Sequence, residues 1–380
     1  MIKGLQIFLM FISVLLMRPS LLGEEFSAIT IPVLLLALLV KIIFRNKETK
    51  ISFDSSHLII LLVFMLLWIY LIVVAVLQNA HNYDYTIKAF ILHTIIVTIF
   101  SFLLSEKEIN KLFFKSVVYI LSFFSISSLI SVLLIEFSSA DIIIGHVLDY
   151  EVLIPFSVKY GVYTVPNIHV FHRFMAFFRE PGIAQAFYAW AVVYCIYFRF
   201  HKFILFALIF GLLATLSTIG ILSFSIVLFL LFLFKQNISL YARIYRILIS
   251  GLLVIGIYAG LYYMPFIGIE AKSNTHGGSL DDRSVNMFYA TENWNFFGNG
   301  MYSAIEKHSG INLISMLDEI GLLAFFLVVL LYFSPLVFKK QDNLFYFISF
   351  VPIALTSILA QPLLDAPLVY LFLFTTFQRS

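Results

Sequence analysis

Apolar runs dominate this chain, each long enough or nearly long enough to cross a bilayer, with only short polar breaks between most of them. A spanning helix needs roughly 20 apolar residues, with about 17–25 tolerated. The candidate runs are 4–22, 26–44, 57–77, 86–104, 112–135, 183–199, 202–217, 219–234, 247–264, 313–335, 344–360 and 362–378. Only 12% of residues are charged and 62% are hydrophobic, whereas about a quarter of a soluble domain is charged. The expectation is an all-α polytopic membrane protein of about twelve helices, forming one integral domain over 1–380. Lys3 and the apolar stretch to Met17 resemble a signal peptide, but no small-x-small site precedes Arg18-Pro19, so this stretch reads as a retained first span.

The charges set the orientation. The run from Lys202 to Phe234 is flanked by Arg199 to Lys202 on one side and by Lys235 to Arg246 on the other. Both flanks are basic, so both belong in the cytoplasm, and the chain must leave and return between them. The break falls at Ser217-Thr218-Ile219-Gly220. Lys41, Arg45, Lys47 and Lys50 then share one inner loop, Lys107, Lys111 and Lys115 another, and Lys339-Lys340 a third. Both termini lie inside, and Arg18 and Lys88 lie outside. No internal repeat of the kind many transporters carry is visible.

Two long outer segments remain, 136–182 and 265–312. The first is half apolar and is expected to lie along the membrane surface. It ends in Arg173–Gly182, R-F-M-A-F-F-R-E-P-G, at the threshold of the run from Ile183. In the second, Asn293, Asn295 and Asn299 alternate with Trp294, Phe296, Phe297 and Tyr302. Amides that donate and accept, together with flat rings, suit a glycan, and they also suit an ordinary surface loop. Asn293, Trp294, Asn299 and Tyr302 are the glycan-binding candidates.

Arg173 and Arg179 are fork-shaped donors matched to phosphate oxygens. The competing reading is that they reach lipid headgroups or pair with Glu180 or Glu136. Glu180 precedes Pro181, which suits a first helical turn; it is either a helix cap or a base. Arg283 follows Asp281-Asp282, so it is either locally paired or a third phosphate donor. His308, Asn312, Ser315 and Glu319 would share a face if the helix through this stretch extended slightly upstream, with Asp318 beside them. Histidine can take a proton from a hydroxyl at neutral pH, and carboxylates this far into an apolar run need a cavity or a partner. Asp365, Lys88 and His93 read as packing partners for one another. The lone Cys195 excludes a disulfide within the chain and a cysteine-based metal site. His146, His169 and His172 lack a metal-binding spacing, and no nucleotide or phosphate-loop signature is present.

R-F-M-A-F-F-R-E-P-G before a span, L-S-T-I-G at Leu216–Gly220, F-F-G-N-G at Phe296–Gly300 and H-S-G-I-N-L-I-S-M-L-D-E-I-G-L-L at His308–Leu323 together resemble the O-antigen polymerases of the Wzy type. Their superfamily also holds O-antigen ligases and capsular polysaccharide polymerases. The resemblance covers roughly 170 to 335, and Thr218 stands where the family has a basic residue. It implies a GT-C-like glycosyltransferase of the bacterial inner membrane with two long periplasmic loops and a periplasmic active site. Such an enzyme moves a growing glycan from undecaprenyl diphosphate onto the next lipid-linked repeat unit, with no cofactor and no nucleic acid, among membrane lipids and alongside a chain-length regulator. By likeness, Arg173, Arg179 and Arg283 hold the diphosphate, and His308 or Glu180 activates the acceptor hydroxyl. A ligase using lipid A–core as acceptor, and a flippase of lipid-linked sugars, are the alternatives.

Overall fold

The computed structural model describes residues 2–44, 54–80, 83–138, 143–147, 150–153, 157–165, 168–234, 240–263, 284–303, 312–361 and 363–378. It is a mostly helical membrane protein. Among the described residues, five helices are long and apolar enough to span a bilayer: Gly23–Ile43, Ser55–Leu77, Tyr83–Leu104, Lys107–Ile135 and Leu317–Phe338. Shorter apolar helices include Ile2–Leu15, Lys202–Ala214, Thr218–Leu233 and Asn343–Leu359. The chain divides into two compact units, one of Met1–Val118, Arg283–Phe347 and Ser357–Ser380, the other of Tyr119–Asp282 and Ile348–Thr356.

In the first unit, the Ser55–Leu77 helix starts where the Asp54 carboxylate accepts from the Ser56 amide at 3.0 Å. One stripe of this helix, Ile60, Phe64, Leu67, Trp68 and Leu71, is buried, while Leu58, Leu62, Leu66 and Ile69 are exposed. Both faces are equally apolar, as lipid contact permits. Rings from other helices fill the buried side: Phe64 meets Tyr370 edge-on at 4.9 Å and Trp68 meets His93 at 4.8 Å.

This unit has two chemically distinct ends. At one, Lys41 donates to the Phe102 carbonyl at 2.8 Å, Lys3 pairs with Glu108, and His57 and Lys339 both face the Phe374 ring. At the other, where the Tyr83–Leu104 helix begins, stand Arg18 and Lys88.

The run 362–378 is not a spanning helix. It forms a short turn at Leu363–Asp365, a six-residue helix at Pro367–Phe372 and then irregular backbone. Leu368 through Phe374 are at most 2% exposed, so this irregular backbone is enclosed by protein. Two of its carbonyls are answered from outside the segment: Asn110 donates to that of Phe374 at 2.7 Å and Lys339 to that of Thr375 at 3.3 Å.

In the second unit, the stretch expected to lie flat on the membrane forms an antiparallel sheet instead. Strands β1 (Ile143–Val147), β2 (Tyr150–Leu153), β3 (Ser157–Val165) and β4 (Ile168–Phe174) pair in chain order. The fold is therefore not purely helical. The local sequence is rich in Val, Ile, Tyr and Phe, and Pro166-Asn167 separates β3 from β4, which favours short paired strands over a surface helix. The Pro181–Tyr197 helix follows, and its side chains from Ile183 to Cys195 are buried.

Lys202–Ala214 and Thr218–Leu233 are separate helices, and the break falls at 215–217, upstream of the expected Ser217–Gly220, because Thr218, Ile219 and Gly220 already belong to the second helix. Ser217 caps the second, its hydroxyl accepting from the Gly220 amide at 3.3 Å. Gly220 is needed for packing: a Cβ there would lie 2.9 Å from the Gln185 Cβ. Gln185 is fully buried, donates to Thr356 Oγ1 at 2.6 Å, and accepts from Ser223 at 3.1 Å. Gln185→Ala removes the amide that the Thr356 and Ser223 hydroxyls share, and is expected to cost about 1–3 kcal/mol. Thermal unfolding in detergent measures this, and an unchanged midpoint would contradict it.

Candidate functional site

The Arg173–Gly182 segment is a tight turn pinned by its phenylalanines. Ala176 takes a left-handed conformation at φ 53°, and the Phe178 amide returns to the Met175 carbonyl at 3.0 Å. Phe178 stacks on Phe177 at 4.2 Å and on Phe187 at 4.7 Å, so the apolar half of the motif is buried. The two arginines stand at either end of this turn.

Arg173 sits on β4 opposite Tyr160. Its Nε donates to the Thr215 carbonyl at 3.1 Å, the residue just before L-S-T-I-G. A carbonyl left over at a helix end is a natural acceptor for a guanidinium. Two segments that are about forty positions apart in sequence therefore meet at one hydrogen bond. Arg179 Nε lies 3.9 Å from Glu180 Oε1, with both side chains about one-third exposed; a pair so placed adds at most about 1 kcal/mol.

Glu180 occupies the position before Pro181, in extended conformation, and the helix starts there as expected. Its backbone carbonyl accepts from Ile183 and Ala184, each at 3.1 Å. Its carboxylate makes no capping hydrogen bond to the helix and faces Arg179 instead. Arg283 and His308 lie outside the described residues.

The first unit holds the other motifs, and they close on one another. The Asn299 amide donates to the Asp318 carbonyl at 3.0 Å and Gly300 to Glu319 at 2.9 Å; Leu322 and Leu323 return to Asn295 and Phe296, each at 3.1 Å. F-F-G-N-G and L-D-E-I-G thus form one cross-bonded unit of backbone. Gly298 and Gly321, at φ 86° and 78°, let the two chains touch: a Cβ on either would come within 2.4 Å of backbone across the contact.

This contact replaces the expected polar stripe. The helix begins at Leu317 and is interrupted at Gly321, so Asn312 and Ser315 precede it. They bond each other reciprocally, the Asn312 amide to Ser315 Oγ and the Ser315 amide to Asn312 Oδ1, both at 2.9 Å. The Leu313 amide is also taken, by the Ser357 carbonyl at 2.9 Å. A helix cannot run upstream through amides already spent on these partners. Glu319, 3% exposed, accepts from the Tyr302 amide at 2.7 Å. Its place in the first helical turn explains how an acid is tolerated at this depth.

Among the glycan candidates, Asn293 closes the helix 284–292, its side chain donating to the Tyr289 carbonyl at 2.8 Å. Trp294 is 49% exposed. Asn299 accepts from Asn295 at 3.1 Å, a bond within the loop. Tyr302 turns inward, hydrogen-bonding Asp365, and burial followed by that carboxylate raises its pKa.

Asp365 also receives Arg18 Nη1 at 2.9 Å and faces His93 Nε2 at 3.2 Å. Burial works against the Arg18 charge, yet Asp365 and Glu24 leave its pKa above the usual value. The pairing of His93 with Asp365 was legible as polar residues at span edges; Arg18 and Tyr302 as their partners were not, because no spacing links positions so far apart. Lys88 pairs instead with Asp84 at 3.1 Å.

No family model, no curated protein and no solved structure matches this chain.

The glycine contact predicts its own sensitivity. Gly298→Ala and Gly321→Ala each combine a strained φ with a clash against backbone, and each is expected to cost about 2 kcal/mol or more. A melting temperature unchanged in both variants would show that the two segments do not touch.

Proposed function

We propose that this chain polymerises lipid-linked oligosaccharide repeat units in the bacterial inner membrane. It would transfer the growing glycan from undecaprenyl diphosphate to a hydroxyl of the next undecaprenyl-diphosphate-linked unit, at the periplasmic face. The observation that supports the reading most is the bond from Arg173 to the Thr215 carbonyl, which ties the first resembling motif to the residue just before the second, within one unit. The reading carries with it about twelve spans, a GT-C-like arrangement and cytoplasmic termini. Lys3, Lys41 and Lys339 clustering at one end of their unit supports that orientation under the positive-inside rule.

In the proposed reaction the acceptor oxygen bonds to the anomeric carbon while the bond from that carbon to the phosphate oxygen breaks. The electron pair leaves with the diphosphate, and charge grows on its oxygens. Arg173, Arg179 and Arg283 answer that charge, which preorganised cations do well because they need not reorient as the reaction proceeds. The acceptor proton passes to His308 or to Glu180. Asn293, Trp294, Asn299 and Tyr302 contact the glycan, and a chain-length regulator acts as partner.

Deleting the gene and resolving the surface glycan on a gel tests this. The expected product is lipid A–core bearing a single repeat unit. Bare core with long chains still on the carrier would point to a ligase, and neither product outside would point to a flippase; either overturns the polymerase reading. Arg179→Ala and Arg283→Ala, at normal protein level, are expected to lower the rate of ladder formation about 10²–10³-fold. A full ladder from both would remove the diphosphate role. His308→Ala should also abolish the ladder, and unchanged activity there would move the base to Glu180.

A further inference from the structure

A cavity of about 270 Å³ opens in the first unit, where the Tyr83–Leu104 helix begins. The charged residues of its wall are Arg18, Lys88 and Asp365, two cations against one carboxylate. The carboxylate is already spent: it receives Arg18 Nη1 at 2.9 Å, faces His93 Nε2 at 3.2 Å and is hydrogen-bonded by Tyr302. The cations are less fully committed. Glu24 stands 3.5 Å from Arg18 Nε, but Arg18 Nη2 makes no hydrogen bond or ion pair among the described residues. Lys88 is held by Asp84 at 3.1 Å, in a pair whose side chains are 71% and 52% exposed. An exposed pair within one helical turn yields readily to a better partner. Neither Glu24 nor Asp84 belongs to the wall, which therefore presents net positive charge to the space.

Most of the remaining wall is apolar, and it runs in one direction. Tyr85, Lys88, Ala89, Leu92 and Ile96 line the space at the spacing of one face of the Tyr83–Leu104 helix. The polar members stand in its first two turns and the apolar ones follow, over about 16 Å of helix from Tyr85 to Ile96. Met17 and Pro367 add apolar wall from two other segments. Ser27 lines the space from the Gly23–Ile43 helix, and its neighbours Phe26 and Ile29 are 39% and 48% exposed. Both helices are long and apolar enough to cross a bilayer, so a space they share is within reach of lipid.

This gradient selects the ligand. A soluble anion would use the cations and leave the apolar wall wet. An uncharged apolar molecule would cover the wall and leave Arg18 Nη2 and Lys88 unanswered. A phosphate carried on a hydrocarbon chain meets both demands: its oxygens accept from guanidinium and ammonium, and its first carbons cover Ala89, Leu92 and Ile96. The volume lies below the about 300–1,000 Å³ usual for small-molecule pockets. It therefore holds a head and the start of a chain, and the rest of the tail lies on the exposed Phe26 and Ile29.

We infer that the cavity bounded by Arg18, Lys88 and Leu92 is a binding site for the phosphate head and proximal chain of an anionic lipid. Two sources share that chemistry, an anionic phospholipid of the bilayer and a polyprenyl phosphate. The inference needs nothing from the polymerase reading, whose diphosphate arginines belong to other segments.

Native mass spectrometry of the purified full-length protein, stripped of lipid in detergent and then titrated, tests this. The probes are phosphatidylglycerol, phosphatidylcholine and decaprenyl phosphate, with glycerol 1-phosphate as the head alone. One molecule of phosphatidylglycerol or decaprenyl phosphate is expected to bind about tenfold tighter than phosphatidylcholine, and the tighter of the two names the source. Lys88→Gln should weaken that binding about fivefold, as loss of one cation beside a lipid head does. Leu92→Trp, which fills the apolar part, should weaken it at least as much. Lys88 is exposed, so its variant keeps the fold and the test stands even where Leu92→Trp does not fold. Equal affinity for all three lipids would overturn the inference. So would unchanged binding in Lys88→Gln or in a folded Leu92→Trp, or displacement by glycerol 1-phosphate at the concentration of the lipid, since the chain would then contribute nothing. A single-unit phenotype on deletion without any preference for anionic lipid would keep the polymerase reading and remove this one. That preference in a protein whose deletion leaves polymerisation intact would do the reverse.

Discussion

Every peptide group held in hydrocarbon must find its partner within the protein, and the breaks in this structure are built around that requirement. Where a helix continues, its own ladder suffices. Where it stops, a second segment arrives to take the exposed groups. At Gly321 the arriving segment is the F-F-G-N-G turn, which trades four backbone bonds with the helix start. At Leu313 and Ile314 it is the end of the Asn343–Leu359 helix, whose carbonyls at Ser357 and Ile358 accept the two amides. Beyond Phe372 the amides of Leu373, Phe374 and Thr375 turn back to carbonyls of the same segment, and the side chains of Asn110 and Lys339 take the carbonyls of Phe374 and Thr375.

The same requirement explains the polar residues that sit where they are costly. Glu319 has a backbone amide to accept from and a helix start to offset its charge. Asp365 gathers Arg18, His93 and Tyr302, so its charge is met by a cation and further donors. Gln185 engages Thr356 and Ser223 at once, leaving little of its amide unmet. Such groups hold helices in one register where lipid-like contacts would be indifferent to it, because sliding by one residue strands a buried polar atom. The arginines at 173 and 179 are treated differently. They stand half-buried at the margin of a turn whose phenylalanines carry the packing.

How legible this was depends on the range of the interaction. The break between Lys202–Ala214 and Thr218–Leu233 could be deduced, since charges on both flanks and a capping serine are local facts. The helix start at Pro181 could be read for the same reason. The supposed stripe from Asn312 to Glu319 misled, because helical spacing says nothing about amides that a distant helix end has already claimed. The sheet at 143–174 was missed because its alternation is weak against an apolar background, where membrane-lying and strand-forming residues look alike. The segment 362–378 was hydrophobic enough to span, yet it is an irregular plug, and hydropathy cannot tell burial in protein from burial in lipid.

Composition alone determined that this is a helical membrane protein and where its long apolar helices lie. Those properties follow from transfer energies that each residue carries with it wherever it sits. Only the tertiary structure decided which stripe of each helix is buried, where glycines let backbones touch, and that Arg18, His93, Tyr302 and Asp365 enclose a common space. In a chain apolar on every face, hydrophobicity cannot choose a face. The choice falls to close packing and to the pairing of polar groups, and both depend on partners hundreds of residues away.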